Sequence, residues 1–297
     1  MWDTVRFFSL QLSLIGVVLI LHTYLGLHII RRVLVFSDLA LDQLAALGAL
    51  VGVLLIHRCP DLIARYNLDL EYGSAASYVL SLLFVLMGAL LLALIKPREK
   101  TIPREAVIGI TYALALIASL LVTDKFPGGD AYMLKTLNGY MAWVNWKLVG
   151  VTAAVYIALL IFHFIFRKQF IALVDNPQQV KNMKLWDFFF FATQGIITIL
   201  IVPVAGVFLA YVFLMLPAAV AAMFTKKWGA GLLLGWLVGF VACTFGLSFS
   251  YRIDWPYGPS LVLAMGIFFF GAIVIRSVLN RRSPTYEKEI TDVGTDS

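Results

Sequence analysis

Nine long apolar runs dominate this sequence, at about residues 7–30, 39–56, 75–95, 106–123, 148–166, 186–202, 204–224, 229–250 and 260–280. A run of roughly 20 apolar residues, coiled into a helix, matches the hydrocarbon thickness of a bilayer and satisfies its backbone polar groups internally. The pattern therefore specifies an all-α, polytopic transmembrane bundle. Composition points the same way: 13% of residues are charged and mean hydropathy is +0.91, against about 25% charged in soluble domains. Only Pro203 separates residues 186–202 from 204–224, so these are either two spans or one broken element. The expected count is about nine, within eight to ten.

Orientation follows from the basic residues, because short loops rich in Lys and Arg stay on the cytoplasmic side. With the N-terminus outside and five crossings before Lys181, 16 of the 23 basic residues fall inside, Arg31, Arg32, Arg104, Arg167 and Lys168 among them. The C-terminus is then cytoplasmic. Residues 1–280 read as a single membrane domain, and 281–297 as a polar, disordered tail. The net charge of +6 is accounted for by the cytoplasmic loops and implies no nucleic-acid partner. The first apolar run lacks a small-residue cleavage pattern and leads into Arg31 and Arg32, so it reads as a retained span. Cys59 and Cys243 have no CxxC or His-spaced neighbour, which gives no disulfide framework and no zinc cluster.

Two polar stretches stand out between spans. Residues 128–146, GGDAYMLKTLNGYMAWVNW, are rich in aromatics and suit a helix at the outer interface. Residues 167–187, RKQFIALVDNPQQVKNMKLWD, lie on the cytoplasmic side, where Asn176-Pro177 is expected to open a short amphipathic helix able to dock a partner.

Several segments resemble one family in collinear order: LHTYLGLHIIRRVLVFSDLALDQLAALGALVG (21–52), WVNWKLVGV (143–151), FRKQFIALVDNP (166–177), VAGVFLAYVFLMLPAAVAAMF (204–224) and GLSFSYRIDWPYGPSLVLAMG (246–266). They are similar to the membrane permeases of ABC-type importers for zinc, manganese and iron. The resemblance implies a multi-pass protein of the bacterial inner membrane. It further implies a second permease copy or paralogue, a separate cytoplasmic ABC ATPase and an extracytoplasmic solute-binding protein. The chain has no GxxxxGK[ST] loop, no HExxH and no Ser-His-Asp set, so the expectation is a transporter subunit without a cofactor, ATP being hydrolysed by a partner. The stretch carrying Asp175, Pro177, Lys181 and Lys184 corresponds to the family's coupling helix, which engages the ATPase.

A metal path needs carboxylates or imidazoles facing the bundle interior, where a charge costs at least about 2.5–3.5 kcal/mol and so marks a functional position. Asp38 and Asp42, spaced i, i+4, share one face of the second helix, while His22 and His28 lie in the first. Two carboxylates with one or two imidazoles suit Zn²⁺, Mn²⁺ or Fe²⁺. Other readings stand beside this one. His22 is equally suited to an interhelical hydrogen bond, and Asp38 to capping its helix or pairing with Arg31 or Arg32. His57 reads as a loop residue, His163 as interfacial, and Gly48 and Gly52 as a packing face. Residues 128–132, GGDAY, replace a His-rich outer run of the family, and Arg31 replaces an acidic position. A diverged non-metal ABC permease and a secondary transporter or channel are therefore the alternatives.

Overall fold

The nine apolar runs, rich in leucine, alanine and phenylalanine, become eight long helices, the two runs flanking Pro203 merging into one. The computed structural model describes residues 2–66, 74–95, 102–139 and 144–281. In chain order the helices are α1 (Trp2–Arg32), α2 (Ser37–Arg58), α3 (Pro60–Tyr66), α4 (Ala75–Leu94), α5 (Arg104–Thr123), α6 (Gly129–Asn138), α7 (Trp146–Ile165), α8 (Arg167–Asp175), α9 (Met183–Phe224), α10 (Trp228–Ile253) and α11 (Tyr257–Arg281). Local signals set several boundaries. Ser74 accepts a hydrogen bond from the Ser77 amide to start α4, and Asn145 does the same for the Leu148 amide at α7. The expected tail, 282–297, and the basic loop holding Lys96, Arg98 and Lys100 lie outside the described residues, as do residues 140–143 of the outer stretch.

Eight of the described helices are long and apolar enough to cross a membrane. One of them, α9, has 42 residues, which would reach roughly 63 Å if straight, about twice the hydrocarbon thickness. It does not run straight. Near its start, Asp187 pairs with Arg32 at the end of α1. Beyond its end, the Lys226 carbonyl accepts a hydrogen bond from Arg31. Its middle meets the opposite end of the bundle, where Gly206 abuts Gly139. The element is thus a hairpin of two antiparallel arms, and the eight helices make nine crossings.

The reversal falls three residues beyond Pro203, where the sequence had placed the break. Proline removes one helical hydrogen bond yet keeps a helical φ. Gly206 alone leaves the helix, at φ 78° and ψ 164°, a conformation that side chains with a Cβ rarely adopt. A Cβ there would also collide with the backbone of Leu137 to Gly139, and one on Gly139 (φ 72°) with Ala205 and Gly206.

The two ends of the bundle are defined by further contacts. At the end marked by Gly139, Thr4 bonds Tyr251 at 3.0 Å and His57 stacks on Phe126. At the end marked by Arg32, Arg104 donates to the Leu92 carbonyl at 2.8 Å. The N-terminus of α1 lies at the first end and the C-terminus of α11 at the second. Both arms of α9 form the centre, packed against α1, α2, α4, α10 and α11. Gly48 allows the close approach of α2 to the α4 backbone at Leu80 and Ser81, as its packing-face reading requires.

The outer stretch contains a helix as expected, α6. The inner stretch is arranged differently from expectation: the amphipathic helix, α8, precedes Asn176-Pro177, and Pro177–Gln179 forms only a single 3-10 turn. Pro177 disfavours helical geometry at the residue before it, and Asn176 sits at φ −143° and ψ 62°. Helix α8 buries Phe170 and Leu173 and leaves Asp175 exposed.

Candidate functional site

Asp38 and Asp42 project from α2 into the core, at 2% and 1% exposure. Facing them on the first arm of α9 are Gln194 and Thr198, also spaced four residues apart. Gln194 Nε2 donates to Asp38 Oδ1 at 2.8 Å, and Thr198 Oγ1 donates to Asp42 Oδ1 at 2.8 Å. Each helix presents one residue per turn to the other, giving a two-rung polar ladder in an apolar core. Acceptors outnumber donors here. Asp42 Oδ2 and Gln194 Oε1 are buried without a hydrogen-bond partner among the described residues. Two carboxylates and an unpaired amide oxygen in apolar surroundings create a strong demand for positive charge or donated hydrogens.

Asp38 caps nothing, and it pairs with neither Arg31 nor Arg32. Helix α2 begins after Phe36 without a side-chain cap, and the Asp38 carboxylate is turned across to Gln194. Arg32 instead binds Asp187, to which Arg104 also donates from Nη2 at 3.1 Å. The side chains of Arg32, Arg104 and Asp187 are 5%, 9% and 3% exposed. They join α1, α5 and α9 seven residues before Gln194, roughly 10 Å along the arm. Arg31 turns outward, its guanidinium 3.9 Å from the Trp228 ring centre.

His22 lies close to the ladder. Its Nδ1 is 3.1 Å from the Val18 carbonyl, which can only accept, so Nδ1 carries the hydrogen and Nε2 keeps its lone pair. The Tyr156 hydroxyl stands 3.4 Å from the same nitrogen, and Tyr156 is within electrostatic reach of both aspartates. His22 and Tyr156 thus form a contact pair between α1 and α7. His28 does not join it: its ring sits against Tyr24, Phe190 and Trp228, with neither nitrogen hydrogen-bonded among the described residues. Among the described residues no three of His, Cys, Asp and Glu stand close enough together to hold a metal ion.

Two other histidines differ from their sequence reading. His57 belongs to the last turn of α2, bonded to the Val53 carbonyl at 2.9 Å. His163 is buried and lies 2.9 Å from Thr193 Oγ1 through Nε2. Thr193 spends its own hydrogen on backbone carbonyls, so Nε2 donates. Sequence reasoning missed Gln194, Thr198 and Tyr156 because they carry no charge. The available signal was the four-residue spacing of Gln194 and Thr198 within an apolar run, a repeat of the Asp38 and Asp42 spacing.

A nine-crossing bundle enclosing a ladder of acidic and amide side chains is the build of a membrane transport protein. Comparison with known proteins makes this specific. The model of the ABC 3 transport family matches residues 64–276. A probable metal transport system membrane protein of Chlamydia muridarum is 22% identical over 61% of this chain and 63% of its own length, just under two thirds. The manganese transport system membrane protein MntC of Listeria monocytogenes is 24% identical over 68% of this chain and 75% of its own. Among solved structures, PsaBC from Streptococcus pneumoniae in complex with Fab shares the fold, with a TM-score of 0.69, 20% identity and 90% coverage of each chain. The chain belongs to the ABC 3 transport family. Its eight membrane-capable helices make it a multi-pass membrane protein of that transport family.

Proposed function

We propose that this chain is the permease subunit of an ABC importer and carries a divalent metal ion past Asp38 and Asp42. The observation that carries this reading is the surplus of buried acceptors on the ladder. Asp42 Oδ2 and Gln194 Oε1 are unpaired, and a passing cation would satisfy both. The donors converging there are oxygens of Asp38, Asp42, Gln194 and Thr198, a set that suits hard cations such as Mn²⁺ better than thiophilic ones. His22 Nε2 adds an imidazole at the margin. Similarity to the Listeria manganese transport protein supports the same class of cargo. Two full-time ligands and few others suit a path, where the ion must leave as readily as it enters.

The Arg32 end is assigned to the cytoplasm, because Arg31, Arg104, Arg167, Lys168, Lys181, Lys184, Lys226 and Lys227 gather there. The run from exposed Asp175 through half-buried Pro177 to exposed Lys181 and Lys184 is then the contact for a separate ATPase. The Gly139 end faces an extracytoplasmic solute-binding protein. A second permease copy or paralogue completes the path.

The test is uptake of Mn²⁺ into proteoliposomes holding the assembled complex, normalised to folded protein. Asp42→Asn keeps volume and removes charge, and is expected to lower uptake at least about tenfold, a loss of roughly 1.4 kcal/mol in the passage barrier. Uptake equal to the parent would overturn the role of Asp42. Gradient-driven flux through the purified chain alone would favour the secondary transporter.

A further inference from the structure

A slot of about 660 Å³ opens sideways between α7 and α8 on one side and α10 on the other. Tyr24 and Leu27 of α1 form its floor, Leu160 and Leu232 its walls. Ile161 and Phe164, at 54% and 66% exposure, stand at its open side. The slot lies at the Arg32 end. Its rim holds Arg167, whose guanidinium rests 4.7 Å from the Phe164 ring centre and has no ion-pair partner among the described residues. Exposed Lys168 follows it, and exposed Lys227 immediately precedes Trp228 of the wall. No carboxylate lines the slot.

We propose that this slot binds one anionic phospholipid. Its acyl chain would lie over Leu27 between Leu160 and Leu232, and its phosphate would meet Arg167 at the rim. The assignment rests on complementarity of two kinds. An apolar cleft open to the bilayer is filled by hydrocarbon without cost, and unpaired cations at the cytoplasmic membrane surface attract anionic headgroups. Arginine offers a phosphate two parallel hydrogen bonds. Trp228 and Tyr24 supply the aromatic anchors usual at that depth. Nothing in this assignment depends on the cargo of the transporter.

The experiment is native mass spectrometry of the purified full chain in mild detergent, offered phosphatidylglycerol and phosphatidylethanolamine at equal concentration. The parent protein is expected to retain one phosphatidylglycerol in preference to phosphatidylethanolamine. Arg167→Gln should weaken phosphatidylglycerol binding about fivefold and leave phosphatidylethanolamine unchanged. Ile161→Trp, at an exposed rim position where folding is not at stake, should reduce retention of both lipids by narrowing the entrance. Arg252→Gln at the opposite end should change neither. No headgroup preference in the parent, or unaltered binding in Arg167→Gln, overturns the proposal. So does an Ile161→Trp protein that keeps its lipid but loses self-association, which would make the slot an interface with a second copy.

Discussion

Single residues at the Arg32 end hold charge that the apolar interior cannot otherwise tolerate. Asp187 is shared by Arg32 and Arg104, all three nearly inaccessible. Removing the one anion leaves two guanidinium groups buried without compensation, a change that costs about 3–5 kcal/mol for a buried pair. Asp187→Asn should therefore lower the thermal midpoint in detergent markedly, while Asp124→Asn, in an exposed pair with Lys125, should leave it unchanged. Equal midpoints for the two would refute a structural role for the triad. The sequence displayed Asp38 and Asp42 because a charge inside an apolar run is conspicuous. It concealed their partners, since an amide or hydroxyl in a membrane helix usually serves packing. It also left Asp38 between three roles, and the position of Gln194 removes two of them, the cap and the arginine pair. For His28 the sequence shows depth, but the ring's surroundings of Tyr24, Phe190 and Trp228 depend on how three other helices pack.

At the level of elements, α9 concentrates most of what positions the ladder. Its first arm carries Asp187, Gln194 and Thr198, and its turn is a contact of backbone on backbone between Gly206 and Gly139. Gly206→Ala should destabilise the fold by more than the about 1–3 kcal/mol that this glycine-only backbone conformation costs a residue with a Cβ, because Cβ also meets the α6 terminus. Pro203→Ala should be far milder, since the backbone stays helical through that position. Thermal unfolding of both variants checks this, and a larger loss for Pro203→Ala would return the break to the proline. Proline is easily seen in a sequence. A glycine bend depends on what crosses it, and α6 reaches Gly206 from 67 residues away, as the numbering shows. The same limit applied to α8: the Asn-Pro pair was legible as a boundary, but its side was misjudged because Asn176 resembles a helix start as well as a stop.

For the whole molecule, length and hydropathy alone carried the fold class and the number of crossings, since bilayer thickness permits few other solutions. The distribution of basic residues adds direction. A reporter joined after Arg281 should read cytoplasmic, and one inserted between Gly128 and Lys135 should read extracytoplasmic. The reverse at either site would invert the assignment of the Arg32 end. The hairpin in α9 also bears on how two permeases can be joined. It makes the crossings odd, so Trp2 and Arg281 lie on opposite faces of the membrane. A water-soluble linker from Arg281 of one copy to Trp2 of the next has no route. A single-chain tandem of this permease must include an additional spanning helix, whereas one whose α9 passed straight through would not need it.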